Sequence, residues 1–141
     1  MHNVSPLKIT LISVVTGFLL NLTGWIGNNF ILENMWKEVN ILIVDSTWRN
    51  SFWRDLFSLF PDFVYGFAIV WLIVLLNTIS GEKISSSIKA GLWISLVGGI
   101  TTYFAIANSG FISWKLALSS FLLVLATKVT FAILAGKLLY K

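Results

Sequence analysis

The residue in this chain best placed to do chemistry is Lys128, the single charge between Leu116 and Gly136 in a block of apolar and small residues. An ionisable side chain inside an apolar helix is a functional candidate, because it needs a partner or a water-filled cavity to be tolerated there. From Lys128 to Gly136 is about 12 Å of helix at 1.5 Å per residue. A lysine stem covers about half of that, so snorkelling to the surface is incomplete. If the helix instead starts near Ile112, Lys128 reaches the inner surface; span ends are loosely set by hydropathy, and both placements stand.

No acidic residue falls inside an apolar block, so an ion pair within the membrane part of the chain is not expected. The remaining partners are the amide of Asn21, the hydroxyls of Thr127, Thr130 and Tyr103, backbone carbonyls, a lipid headgroup, or a carboxylate on another chain. Lys128, Asn21, Thr127, Thr130 and Tyr103 form the candidate polar intramembrane site, suited to an anion or a small polar solute. Ala117, Ala132 and Ala135 share the Lys128 face and favour its burial against another helix.

Other chemistries lack their groups. There is no cysteine, and the one histidine is His2, so haem, iron–sulfur and histidine metal sites have no ligands. No Ser/His/Asp set, carboxylate pair within a span or glycine-rich phosphate loop occurs. Neither an enzyme nor a bound cofactor is expected. The net charge of +4 is spread over loops and ends, which does not suit nucleic acid.

The elements that must position these residues are membrane helices. Of the 141 residues 57% are hydrophobic and 11% charged, less than half the roughly 25% usual in soluble domains. Apolar blocks run over 9–32, 63–81, 90–114 and 116–136, each matching the roughly 20 helical residues that cross a hydrocarbon core of about 30 Å. Backbone groups in lipid must be satisfied within the segment, so the blocks are helices. The fold class expected is all-α: a single membrane domain of four transmembrane helices, at about 9–32, 62–81, 90–110 and 112–136. The first is read as a retained span rather than a cleaved signal, since no A-x-A-like site follows it.

Lys8, Lys83, Lys89, Lys137 and Lys141 fall on one side of such a bundle. Lys37, Arg49, Arg54 and Lys115 fall on the other, diluted by five acidic residues including Asp62. Both termini are therefore expected in the cytoplasm, in a multi-pass cell-membrane protein.

The connection between the first two spans carries an amphipathic interfacial helix at about 47–60. Trp48, Phe52, Trp53, Leu56, Phe57, Leu59 and Phe60 fill one half of its wheel, and Asn50, Ser51, Arg54, Asp55 and Ser58 the other. Arg49 breaks the pattern from within the apolar half, and Arg49 and Arg54 are the candidate lipid-headgroup contacts. Glu33 and Lys37 stand four apart on a short helix before it, and Pro61 suits the first turn of span two. Trp25, Trp36, Trp48, Trp53 and Trp114 fit the outer interface and Trp93 the inner end of span three; Trp71 faces lipid or packs.

Small and polar residues recur at helical spacing in span one (Gly17, Asn21, Gly24, Asn28) and span three (Gly91, Ser95, Gly98, Thr102). Such stripes let membrane helices approach closely, so Gly17, Gly24, Gly91, Ser95 and Gly98 are the expected packing residues. A shift of 81 residues places Lys8 on Lys89, Gly17 on Gly98 and Phe30-Ile31 on Phe111-Ile112, hinting at a duplicated two-helix hairpin.

Gly24-Trp25 closing the first span, Trp36-Lys37 in the linker and the terminal AILAGKLLYK resemble small four-span bacterial membrane proteins of uncharacterised function. The resemblance implies a helical bundle in a bacterial inner membrane and carries no activity with it. A small multidrug transporter would show a glutamate inside span one, which this chain lacks. The function expected first is a structural or accessory subunit, assembling through the small-residue faces into a homo-oligomer or larger membrane complex in the lipid bilayer. The alternatives are an oligomeric channel or carrier using Asn21 and Lys128, and a lipid-binding protein using the interfacial helix.

Overall fold

The computed structural model describes residues 4–37 and 52–141, with backbone alone at 52–58. The described residues are helical throughout their long elements. Helix α1 (Pro6–Ile26) opens with Ser5 accepting from Lys8 N at 3.3 Å and Pro6 in the first turn. It continues through a π-helical turn at Gly27–Ile31 into the short α2 (Glu33–Lys37), where Lys37 and Glu33 pair at 2.7 Å. Helix α3 is Phe52–Ser80 and α4 is Lys83–Gly99. A second π-helical turn, Ile100–Phe104, leads into α5 (Ala105–Asn108), and Ser113 caps α6 (Trp114–Leu139). Gly81 (φ 69°) and Gly110 (φ 77°) make the left-handed turns that reverse the chain after α3 and α5.

Four segments, Pro6–Ile31, Leu59–Ser80, Lys83–Asn108 and Trp114–Leu139, are long and apolar enough to cross a membrane. Each packs on its neighbour in sequence, and the first also packs on the fourth, giving an up-down-up-down bundle with spans one and three on a diagonal. Leu7, Phe18, Trp71, Ile79 and Trp93 lie exposed on its outside, while Ser13, Thr16, Ser86, Ser87, Ser95 and Ser120 are buried. An exterior more apolar than parts of the interior suits a lipid solvent. Several buried hydroxyls bond their own helix, as Thr16 to Ile12 O (2.7 Å) and Ser95 to Gly91 O (2.6 Å).

The glycine stripes are used within hairpins rather than between spans one and three. A Cβ on Gly17 would stand 2.8 Å from Phe63 Cα, and one on Gly66 would stand 2.5 Å from Ser13 O. A Cβ on Gly91 would meet Val129 Cα at 2.7 Å, and one on Gly98 the Tyr65 hydroxyl at 2.8 Å. Gly24 departs from expectation: nothing lies within 4 Å of its Cβ position, so it is not a packing residue.

Two boundaries also shift. Span three begins at Lys83, seven residues before the apolar block, because Ser86 and Ser87 are buried inside the bundle. Trp93 then lies about 15 Å along α4 instead of at its inner end. Pro61 lies inside α3, which runs from Phe52 without a break, so residues 52–60 continue directly into span two. The rest of the expected interfacial helix, 47–51 with Arg49, lies outside the described residues.

At the end holding both termini, Lys8 Nζ donates to Leu139 O (2.9 Å) and Lys83 Nζ to Tyr140 O (3.4 Å). Two lysines thus satisfy carbonyls that α6 leaves open and offset the negative end of its dipole.

Candidate functional site

Between the four spans, in the half of the bundle away from the termini, lies a half-open cavity of about 430 Å³. Asn21 reaches it from α1, Asp62 from α3, Tyr103 from the second π turn, and Ser120, Thr127 and Lys128 from α6. Its mouth lies among Trp25, Asn28 and Asn29, all exposed, and Lys128 is buried at 4% exposure.

Asp62 is the residue that hydropathy hides. The second apolar block begins at Phe63 and leaves it outside, among the loop charges. Because α3 starts at Phe52, Asp62 stands about 15 Å into its helix, and Asn21 stands about 15 Å from Ile31 on α1. The two are level, and Asn21 Nδ2 donates to Asp62 Oδ2 at 3.2 Å. The expectation of no acidic group within a span is therefore corrected. A signal was available: Asp62, Tyr65, Gly66 and Ile69 follow the 3.6 period of one buried helix face.

Lys128 is buried rather than snorkelling. Its Nζ sits 3.3 Å from the centroid of the Tyr65 ring, a cation–π contact. Asp62 lines the same cavity and is near enough to act on it electrostatically, yet the two are not ion-paired; Lys37–Glu33 is the one ion pair among the described residues. The site thus holds one negative and one positive group apart, each tied to a neutral neighbour.

The π turns serve this site directly. Each adds a residue to a helical turn, a device found often at functional sites. The first presents Asn28 and Asn29 at the mouth, with Leu32 N bonded to Gly27 O at 2.9 Å, and the second presents Tyr103. Trp36 Nε1 donates to Asn28 Oδ1 (3.1 Å), tying α2 across the rim. Gly24 lines the same cavity, with open space at its Cβ position.

Four of the five expected polar residues, Lys128, Asn21, Thr127 and Tyr103, are brought together. Thr127 spends its hydroxyl on Leu123 O (3.0 Å) and Val124 O (3.1 Å), so it contributes shape more than a free donor. Thr130 is exposed on another face of α6 and takes no part. Ser120, which sequence reasoning passed over, is 2% exposed and lines the cavity, and its Oγ has no hydrogen-bond partner among the described residues. Arg49 lies outside the described residues, and Arg54 falls in the backbone-only turn of α3.

Below the site, toward the termini, Ile12, Ile69, Val70, Ile73, Ala90 and Ala132 form a continuous apolar core. The cavity is therefore open at one end and closed by packed side chains at the other. Such an arrangement can bind and enclose a small molecule. Comparison with known protein families, with characterised proteins and with solved structures finds no match.

Proposed function

We propose that this chain is a multi-pass protein of a bacterial inner membrane, with cytoplasmic termini, that binds a small polar solute between its spans and carries it. The cavity carries this reading: a half-open space of about 430 Å³, lined by polar and apolar side chains, that bears both Asp62 and Lys128 between the helices. Charged groups at such depth are costly, and a charged lining that structure alone does not require is accounted for by a ligand. The apolar core beneath it fits an outward-facing carrier state closed on the cytoplasmic side.

The accessory-subunit reading rested on small-residue faces. On those faces Gly17 and Gly91 are already taken up within the chain, by Phe63 and Val129, which leaves these two positions unavailable to a partner. Reconstitution tests the carrier. Proteoliposomes incubated with a mixture of small polar solutes should accumulate some of them, read by mass spectrometry of the washed contents. Lys128→Leu should abolish that accumulation; a profile equal to protein-free liposomes would remove the carrier role.

A further inference from the structure

Resting on the solute-binding reading, we infer that the cavity is built for a zwitterion, its primary ammonium on Asp62 and its acidic oxyanion on Lys128. Both groups line one cavity, and they are not ion-paired with each other. Asp62 is held by the Asn21 amide at 3.2 Å and Lys128 by the Tyr65 ring at 3.3 Å. A purely structural pair would gain most by closing, since each buried charge without an opposite charge is strongly destabilising. Instead each is held by a neutral neighbour, and no ion pair closes between them.

The charge balance then selects the ligand. A singly charged molecule compensates one of the two groups and leaves the other unpaired in a low-dielectric site. A zwitterion compensates both and brings no net charge into the membrane. Ser120 supplies an independent pointer: a residue 2% exposed that lines the cavity, whose buried hydroxyl has no protein partner among the described residues. It lies about 12 Å along α6 from Lys128, toward the mouth. The volume, set against about 30 Å³ per water, gives room for roughly a dozen water-sized groups. A small amino acid fits, and so does the headgroup of an ethanolamine phospholipid; both join a primary ammonium to an acidic oxyanion.

Binding to the full chain in nanodiscs of phosphatidylcholine and phosphatidylglycerol tests this, with ω-amino acids from glycine to 6-aminohexanoate as probes. Butylamine and butyrate serve as singly charged controls. One chain length should bind at least about tenfold more tightly than either control, from the strength of a charge-assisted hydrogen bond. Asp62→Asn and Lys128→Gln should each weaken that probe by about tenfold or more. In nanodiscs containing phosphatidylethanolamine, native mass spectrometry separates the sources. A headgroup ligand gives one retained phosphatidylethanolamine per chain, lost in both variants and blocking the soluble probe; a free solute gives no such retention. Butyrate or butylamine binding the wild-type protein as tightly as the best ω-amino acid would overturn the inference, as would binding of neither probes nor phosphatidylethanolamine. The comparison on the wild-type chain decides this even if a variant does not fold. Zwitterion binding without flux removes the carrier role and leaves this specificity; flux of a singly charged solute does the reverse.

Discussion

Replacing Gly66 by alanine puts a methyl carbon where three backbone atoms of α1 already stand: Ser13 O at 2.5 Å, Gly17 N at 2.6 Å and Gly17 Cα at 2.9 Å. None of these is the end of a flexible side chain, so the two helices must move apart along their whole contact. Overpacking of this kind costs about 1–3 kcal/mol, and a backbone-only clash belongs at the upper end. Gly24→Ala is the matched control on the facing helix. Its Cβ meets nothing within 4 Å, and alanine is the better helix former by up to about 1 kcal/mol. Equilibrium unfolding of the purified variants in mixed micelles should separate them by about 3 kcal/mol, Gly66→Ala losing stability and Gly24→Ala losing none. Equal stability of Gly66→Ala and wild type would refute the α1–α3 contact; a Gly24→Ala variant as unstable as Gly66→Ala would refute the open space at Gly24.

Asn21→Leu strips the Asp62 carboxylate of its hydrogen bond and should destabilise the bundle by roughly 1.5–3 kcal/mol in the same unfolding assay. Lys128→Met keeps the length of the stem and removes the charge; the lost cation–π contact of about 2 kcal/mol is offset by relief of a lysine desolvation of about 2.5–3.5 kcal/mol. That variant should therefore unfold no earlier than wild type while losing ligand binding, and a large loss of stability would show that the ammonium is structural. Lys8→Met should cost about 1 kcal/mol or less, read by the same method, because Lys83 still covers the end of α6.

The spans were legible because hydropathy and length decide membrane helices almost alone, and Lys128 was legible because a charge inside such a block is rare. What escaped is set by geometry that a one-dimensional window does not carry. Asp62 was lost because the window stops at the first charge, whereas α3 runs through Pro61 and carries that charge inward. Gly24 and Gly66 show the complementary failure: helical spacing marks a face as small, but whether that face meets a neighbour or a cavity depends on how the helices cross. Thr130 was excludable, since two residues from Lys128 is roughly 200° around the helix. Ser120 falls on the Lys128 side of α6, but a serine in an apolar helix normally bonds its own backbone, so nothing in the sequence singled it out. The π turns left no clear trace in the sequence.

The central claim is a water-filled polar site inside the bundle, open on the side away from the termini. The native chain has no cysteine, so single thiols report access without background. Gly24→Cys and Thr130→Cys, each in intact cells, would be treated from outside with a membrane-impermeant thiol reagent that reacts only in water. Gly24, half-buried on the cavity wall with open space at its Cβ position, should be labelled, and Thr130, exposed on the outside of α6 within a segment apolar enough to cross a membrane, should not. An unreactive thiol at position 24, or labelling at both positions alike, would contradict the site.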